Sequence, residues 1–320
     1  MRSQKRANLL LSLLRQKEAG IFLVLVALMV SISIFKPDFM KGINRYLVSR
    51  QVAYTAIVGL GVFFVILTSG IDLSIGSIVG LSGALCALAM VDGGFPPALA
   101  VVVGLLVGMA VGAINGAIVS YVGVTPFIVT LGMLGMARGA VYVLTRGEPV
   151  LNIPKSFWEV GQKSVYGIPM PVIVMIVVAL AAHVVLTYTV FGRRVYALGG
   201  NEEATRLSGI NTRWVKFLTY VISGALSSIT GILFVARFQS SQADAGVGME
   251  LDGIAAAVIG GASLMGGEGS VLGVLIGAAI MGVARSGLVF MKVSSYWQDL
   301  VIGGVIVLAA IFDVVRSRRR

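Results

Sequence analysis

Residues 96–120 read PPALAVVVGLLVGMAVGAINGAIVS, and this stretch contains no charged side chain. A helix needs about 20 mainly apolar residues to cross the hydrocarbon core of a bilayer. Within the stretch, glycine recurs at every fourth position from Gly104 to Gly116, and small residues at this spacing let two helices approach closely in lipid. The stretch therefore predicts a tightly packed transmembrane helix. The same spacing recurs at Gly135 and Gly139 and at Gly273 and Gly277.

Nine further stretches have a similar apolar character, so we expect an all-α, polytopic transmembrane helical bundle of about ten spans. The weakest are 72–91, which opens with an aspartate, and 250–265, which is short and rich in glycine. Both are candidates for broken or re-entrant segments, which are tolerated where the backbone faces protein or a water-filled cavity. The expected spans are 19–35, 52–68, 72–91, 96–120, 126–145, 168–191, 214–237, 250–265, 271–290 and 296–314.

The distribution of lysine and arginine predicts that both chain ends are cytoplasmic. With the N-terminus inside, the inner segments carry 13 basic residues and the outer segments carry 8. Cytoplasmic loops of membrane proteins have such an excess. We therefore divide the chain into a basic cytoplasmic segment 1–18, a transmembrane domain 19–314 with a cytoplasmic loop 192–213, and a basic cytoplasmic tail 315–320.

The composition excludes several functional classes. Hydrophobic residues make up 57% of the chain and charged residues 12%, against about 25% charged in a soluble domain, so lipid is the expected solvent. The net charge of +11 does not indicate a nucleic-acid partner, because the basic residues lie largely at the chain ends and in loops. The single Cys86 and the single His183 are too few for a disulfide or a metal site.

The sequence also lacks the motifs of an enzyme. It contains no GxxxxGK[ST] stretch that would cradle nucleotide phosphates, and no Ser/His/Asp set or carboxylate–histidine cluster can be assembled within the membrane. The chain is therefore expected to move a solute without a catalytic site or cofactor of its own. Few ionisable residues fall inside the expected spans, which disfavours ion coupling. The deepest is Arg138, for which snorkelling and a buried pair are equal alternatives.

The longest inner loop contains a short predicted helix within FGRRVYALGGNEEATRLSGIN, residues 191–211. Asn201 is placed to cap the helix, Glu202 and Glu203 complement the positive end of its dipole, and Gly209 is placed to end it. A helix of this length is too short to span a membrane. From the residues alone, a membrane-surface element and a plug for a partner's groove are equal alternatives.

This loop resembles the coupling loop of permease subunits from bacterial ABC sugar importers of the ribose/galactose/xylose/arabinose type. Four further stretches resemble the same family, in the same order along the chain: TSGIDLSIGS (68–77), VTPFIVTLGM (124–133), ELDGIAAAVIGGASLMGGEGSVLG (250–273) and SSYWQDLVIGGVIV (294–307). The resemblance implies a multi-pass protein of the bacterial inner membrane. It also implies a dimer of permease subunits, served by a cytoplasmic ABC ATPase that binds ATP and Mg and by a periplasmic sugar-binding protein.

The resemblance further implies roles for individual residues. Asp72, with Thr68, Ser69 and Ser74, matches the polar stretch typical of the family, although a capping and packing role for Asp72 is an equal alternative. The residues that match the ATPase-coupling loop are Gly200, Asn201, Glu202, Ala204, Arg206, Gly209 and Ile210.

These expectations combine into one hypothesis of function. The chain is expected to be a homodimeric permease subunit that translocates a monosaccharide, a ribose-like pentose first among them, by alternating access powered by a separate ATPase. Asn115, Thr130 and Ser263 are candidate hydrogen-bond donors along the pathway. An ion-coupled secondary carrier and a passive channel for a small polar solute are the two competing hypotheses.

Overall fold

A computed structural model of the protein describes residues 17–294 and eight positions beyond them, at 297, 300, 301, 303, 304, 307, 308 and 311. The described residues form a bundle of helices, with one two-stranded hairpin made of β1 (Ser164–Val165) and β2 (Ile168–Pro169). The helices are α1 Lys17–Phe35, α2 Gly42–Leu67, α3 Ile75–Val91, α4 Pro97–Ala117, α5 Pro126–Thr145, α6 Lys155–Gln162, α7 Met170–Tyr188, α8 Val190–Gly200, α9 Glu202–Leu207, α10 Thr212–Phe238, α11 Met249–Ile259 and α12 Val271–Phe290.

Seven of the described helices are long and apolar enough to cross a membrane. They are α1, α2, α4, α5, α7, α10 and α12, and each coincides with an expected span. The expected all-α polytopic bundle is therefore confirmed. The total of about ten spans and the sides on which the chain ends lie stay predictions, because most of span 296–314, most of segment 1–18 and all of tail 315–320 lie outside the described residues.

The two weakest spans are both interrupted. Helix α3 has 17 residues and begins only at Ile75, after a non-helical entry over residues 69–74. Helix α11 has 11 residues and is followed by a non-helical segment over 260–270. At 1.5 Å per residue, α11 is about 16 Å long, roughly half of the hydrocarbon thickness. Residues 250–265 therefore form no continuous helix, in agreement with the broken alternative, because the glycines at 260 and 261 end the helix.

The centre of the bundle is α2, whose residues from Ala53 to Leu67 are all buried. A helix that is hydrophobic all round belongs in the interior, and α2 is accordingly enclosed by α7, α10, α11 and α12. The C-terminal end of α2 leads directly into the non-helical entry of α3. The polar stretch that begins at Thr68 thus follows directly on a buried helix.

The glycine ridge of α4 packs against α10, as its spacing predicts. A methyl group added at Gly108 or Gly112 would collide with the backbone oxygen of Gly224 or Tyr220. Gly273 and Gly277 pack in the same close manner against α11. Gly135 and Gly139 make no such contact among the described residues, because nothing lies within 4 Å of a methyl group added at either position.

This contrast predicts opposite effects for one substitution in two matched motifs. The Gly108→Ala variant should be destabilised by about 1–3 kcal/mol, since the added methyl group overpacks a close helix contact. The Gly139→Ala variant should keep or slightly gain stability, because alanine is the better helix former by about 1 kcal/mol. Thermal unfolding of the two purified variants checks the prediction. Equal melting temperatures would contradict the close packing of α4 on α10.

Candidate functional site

The polar stretch between α2 and α3 folds around the carboxylate of Asp72, which is fully buried. One carboxylate oxygen accepts hydrogen bonds from the backbone N–H of Ser74 at 3.0 Å and from its hydroxyl at 2.6 Å. The other accepts from the Ser223 hydroxyl of α10 at 2.8 Å. Asp72 thus fixes the start of α3 and joins it to α10, which supports the capping and packing alternative for this residue.

A second layer of polar groups surrounds this carboxylate. The side-chain amide of Asn115 in α4 donates to the Ser74 hydroxyl at 2.9 Å, while the buried Asn115 Oδ1 has no hydrogen-bond partner among the described residues. The Tyr220 hydroxyl donates to the Ile71 carbonyl at 3.3 Å. Three helices therefore meet at one closed polar cluster, made of Asp72, Ser74, Asn115 and Ser223. Asp72, Ser74 and Asn115 were candidate site residues from the sequence, whereas Ser223 was not.

Thr68, Ser69 and Thr130 have hydrogen-bond acceptors outside this cluster. The Thr68 hydroxyl donates to Val65 O in its own helix. Ser69, which has a positive φ of 59°, donates to Met265 O at 2.7 Å and so lies beside the segment that contains Ser263. Thr130 is buried and donates to Pro126 O within α5. A role for the Thr130 hydroxyl along the pathway stays a prediction, and its proton is bonded to its own helix in this structure.

The predicted cytoplasmic loop is mostly helical, and its local signals are confirmed. Helix α8 precedes the short α9, and the Asn201 side chain caps α9 by accepting from the Ala204 N–H at 2.9 Å. Gly209 has a φ of 81°, the left-handed conformation expected of a residue that ends a helix. Glu202, the first residue of α9, forms an ion pair with Lys216 of α10 at 2.6 Å. The loop is therefore an ordered element braced against the bundle.

One face of α9 is directed away from the bundle. Ala204, Arg206 and Leu207 are exposed, and Leu207 retains 79% of its accessible surface. In contrast, Thr205 is buried and Ile210 packs against the hydrophobic core. Ala204 and Leu207 are therefore free to contact a partner, whereas Ile210 anchors the segment.

The end of α8 contacts the end of α2 and the 260–270 segment, a feature that the sequence patterns did not indicate. Gly267 N donates to Leu67 O at 3.0 Å, and Gly199 lies directly against these two atoms. The Tyr196 hydroxyl donates to Gly269 O at 3.0 Å. We call this contact of Leu67, Gly199 and Gly267 the glycine junction. It connects the cytoplasmic loop to the end of α2 and to the 260–270 segment.

Two arginines satisfy buried groups near the opposite end of the bundle. Arg138 donates to the Ala243 carbonyl at 3.0 Å and to the Ala245 carbonyl at 2.8 Å. Arg285 of α12 forms an ion pair with the buried Asp252 of α11, at 2.9 Å. Arg138 therefore corresponds neither to the snorkelling alternative alone nor to the buried-pair alternative alone. Its partners are backbone oxygens of the segment between α10 and α11.

Comparisons with known proteins agree with this architecture. The family described as branched-chain amino acid transport system / permease component matches residues 45–310. The ribose import permease protein RbsC of Escherichia coli is 44% identical over 305 residues, which is 94% of each chain. RbsC of Bacillus subtilis is 41% identical over 303 residues, again 94% of each chain. The D-allose transport system permease protein AlsC of Escherichia coli is 37% identical over 300 residues, or 93% of this chain and 92% of the relative. No solved structure matches the chain.

Proposed function

The chain belongs to this permease family, and from that membership we propose that it carries a ribose-like pentose across the bacterial inner membrane by alternating access. It is a multi-pass inner-membrane protein and the permease of an ABC sugar importer, a transporter rather than a catalytic enzyme. The family implies a cytoplasmic ABC ATPase and a periplasmic binding protein as partners. The choice of pentose rests on relatives at 41–44% identity that are named for ribose import.

The observation that carries the mechanism is the glycine junction. In the proposed cycle, the partner ATPase binds ATP and Mg and moves against the exposed face of α9, which offers Ala204 and Leu207. Helix α8 continues this element and ends on Leu67 and Gly267. A displacement of α9 would therefore reach the 260–270 segment and the end of α2, which leads into the 69–74 segment, since packed backbones transmit a shift as a rigid contact.

In the proposed cycle, the Asp72 cluster has a structural role. Its side-chain donors are engaged in hydrogen bonds between α3, α4 and α10, so these helices move as one body. Relative motion is then concentrated at the interrupted segments 69–74 and 260–270, which lack a continuous helical backbone. A second, identical permease copy would complete the translocation pathway.

The chain alone is expected neither to bind nor to hydrolyse ATP, because its sequence has no loop that cradles phosphates. Equilibrium binding of a fluorescent ATP analogue to the purified permease checks this, with the same protein bound to its ATPase as the positive control. The permease should also co-purify with that ATPase. Nucleotide binding by the isolated permease, or a functional transporter that contains no ATPase, would contradict the proposal in favour of an ion-coupled carrier or a passive channel.

A further inference from the structure

A cavity of about 180 Å³ lies between α3, α10 and the segment that follows α10. Phe234 and Phe238 of α10 line one side, and Ser240, Gln242 and Asp244 line another. Binding pockets for drug-sized ligands enclose about 300–1,000 Å³, so this cavity suits a smaller molecule. It lies apart from the Asp72 cluster, whose side-chain donors are already bonded to one another.

The cavity lies at the end of α10 that is remote from the ATPase-facing loop. Helix α10 begins at Thr212, immediately after that loop, and Phe234 is 22 residues further along. A rise of 1.5 Å per residue places Phe234 about 33 Å from the start of the helix, a distance comparable with the thickness of the hydrocarbon core. The cavity is therefore on the side of the membrane from which an importer receives its solute.

The lining has the chemistry of a site for a neutral polyhydroxylated solute. The rings of Phe234 and Phe238 meet edge to face, with centroids 5.6 Å apart, and Phe238 is half exposed. Such rings offer apolar surface for the C–H groups of a sugar. Asp244 is exposed and forms no ion pair within the part of the chain that the structure describes, so its carboxylate can accept from hydroxyl groups. Gln242 donates to the Ser240 hydroxyl at 3.0 Å, which leaves its amide oxygen as a second acceptor.

The wall that carries Asp244 is held in place on both sides. Arg138 donates to the carbonyls of Ala243 and Ala245, the two neighbours of Asp244. Ser241 exchanges two backbone hydrogen bonds with Val150, at 2.9 and 3.0 Å. A wall fixed in this way loses little freedom when a ligand binds. Arg138 is thus a positioning residue for the cavity.

We propose that this cavity is an outer recognition site for the monosaccharide, with Phe234 and Phe238 stacking on the sugar and Asp244 and Gln242 accepting from its hydroxyls. The proposal rests on the proposed function, because it names the place where the transported sugar first meets the permease. We expect the cavity to bind the sugar weakly, since a site on a transport route must also release its solute.

The direct test is protection of a single introduced thiol in the complete importer. In a Cys86→Ala background, the Gln242→Cys variant is treated with a maleimide in the presence and absence of D-ribose. We expect D-ribose to slow its labelling, and to leave the labelling of Glu148→Cys, an exposed position outside the cavity, unchanged. Equal rates with and without D-ribose, D-allose or L-arabinose at the Gln242→Cys thiol would overturn the proposal.

A second measurement separates a sugar site from a docking surface. The Asp244→Asn and Phe238→Ala variants should each lower D-ribose uptake by about tenfold, the equivalent of one lost charge-assisted hydrogen bond or aromatic contact. Stimulation of ATP hydrolysis by the loaded binding protein should persist, as it should in the controls Glu148→Gln and Phe95→Ala. A parallel fall of uptake and stimulation would overturn the sugar site in favour of protein docking. Absence of uptake by the unmodified importer would instead contradict the proposed function, whereas thiol protection reports on the cavity by itself.

Discussion

The Asp72→Ala variant is expected to lose about 3 kcal/mol or more of stability and to be recovered poorly from membranes. The substitution leaves three buried donors without an acceptor, namely the N–H and the hydroxyl of Ser74 and the hydroxyl of Ser223. Each buried group left without a partner costs about 1–3 kcal/mol. Thermal unfolding of the purified permease in detergent measures the loss directly.

Two further variants show whether the hydrogen bonds cause this effect. Asp72→Asn keeps one acceptor oxygen and should be intermediate. Asp92→Ala removes an exposed carboxylate just beyond the other end of α3, and such surface changes usually shift stability by less than about 0.5 kcal/mol. If Asp72→Ala melted at the temperature of the unmodified protein, the closed cluster would not be the brace that joins α3 to α10.

The Gly199→Ala variant is expected to fold and yet to lose most of the ATP hydrolysis that the loaded binding protein stimulates. The added methyl group would collide with Leu67 O and Gly267 N, the two atoms whose hydrogen bond closes the glycine junction. The backbone there must separate, which breaks the contact of α8 with the end of α2 and with the 260–270 segment. Release of phosphate by the assembled importer, with and without loaded binding protein, measures the effect.

The neighbouring glycine provides a matched control. A methyl group added at Gly200 has nothing within 4 Å, and its backbone conformation is available to alanine. Gly200→Ala should therefore keep its stimulated ATP hydrolysis. Equal loss in both variants would indicate a general effect of alanine in this loop, and full activity of Gly199→Ala would remove the glycine junction from the mechanism.

Features set by a few neighbouring residues could be predicted from the sequence. The cap at Asn201 and the left-handed Gly209 depend on contacts within one or two helical turns, and both are confirmed. The positions of the spans could be predicted in the same way, because transfer into lipid depends on the composition of each segment. Residues 250–265 are the exception, since hydropathy does not report where glycine ends a helix.

Features set by distant parts of the chain could not be predicted in this way. Asp72 and Ser223 are 151 positions apart, and no local pattern pairs them. Gly108 and Gly139 occur in the same motif, yet only Gly108 faces another helix among the described residues. Thr130 illustrates a third limit, because a threonine inside a helix can donate to its own backbone as readily as to a solute.

The central claim is that ATP hydrolysed by a partner moves a sugar through this chain by way of the glycine junction. The most direct test is D-ribose uptake into proteoliposomes that contain the permease, its ATPase and its binding protein, with ATP supplied to the ATPase and no ion gradient. The account predicts ATP-dependent uptake by the unmodified importer and by Gly200→Ala, and little uptake by Gly199→Ala. Uptake driven by a proton or sodium gradient without ATP, or normal ATP-driven uptake by Gly199→Ala, would contradict it.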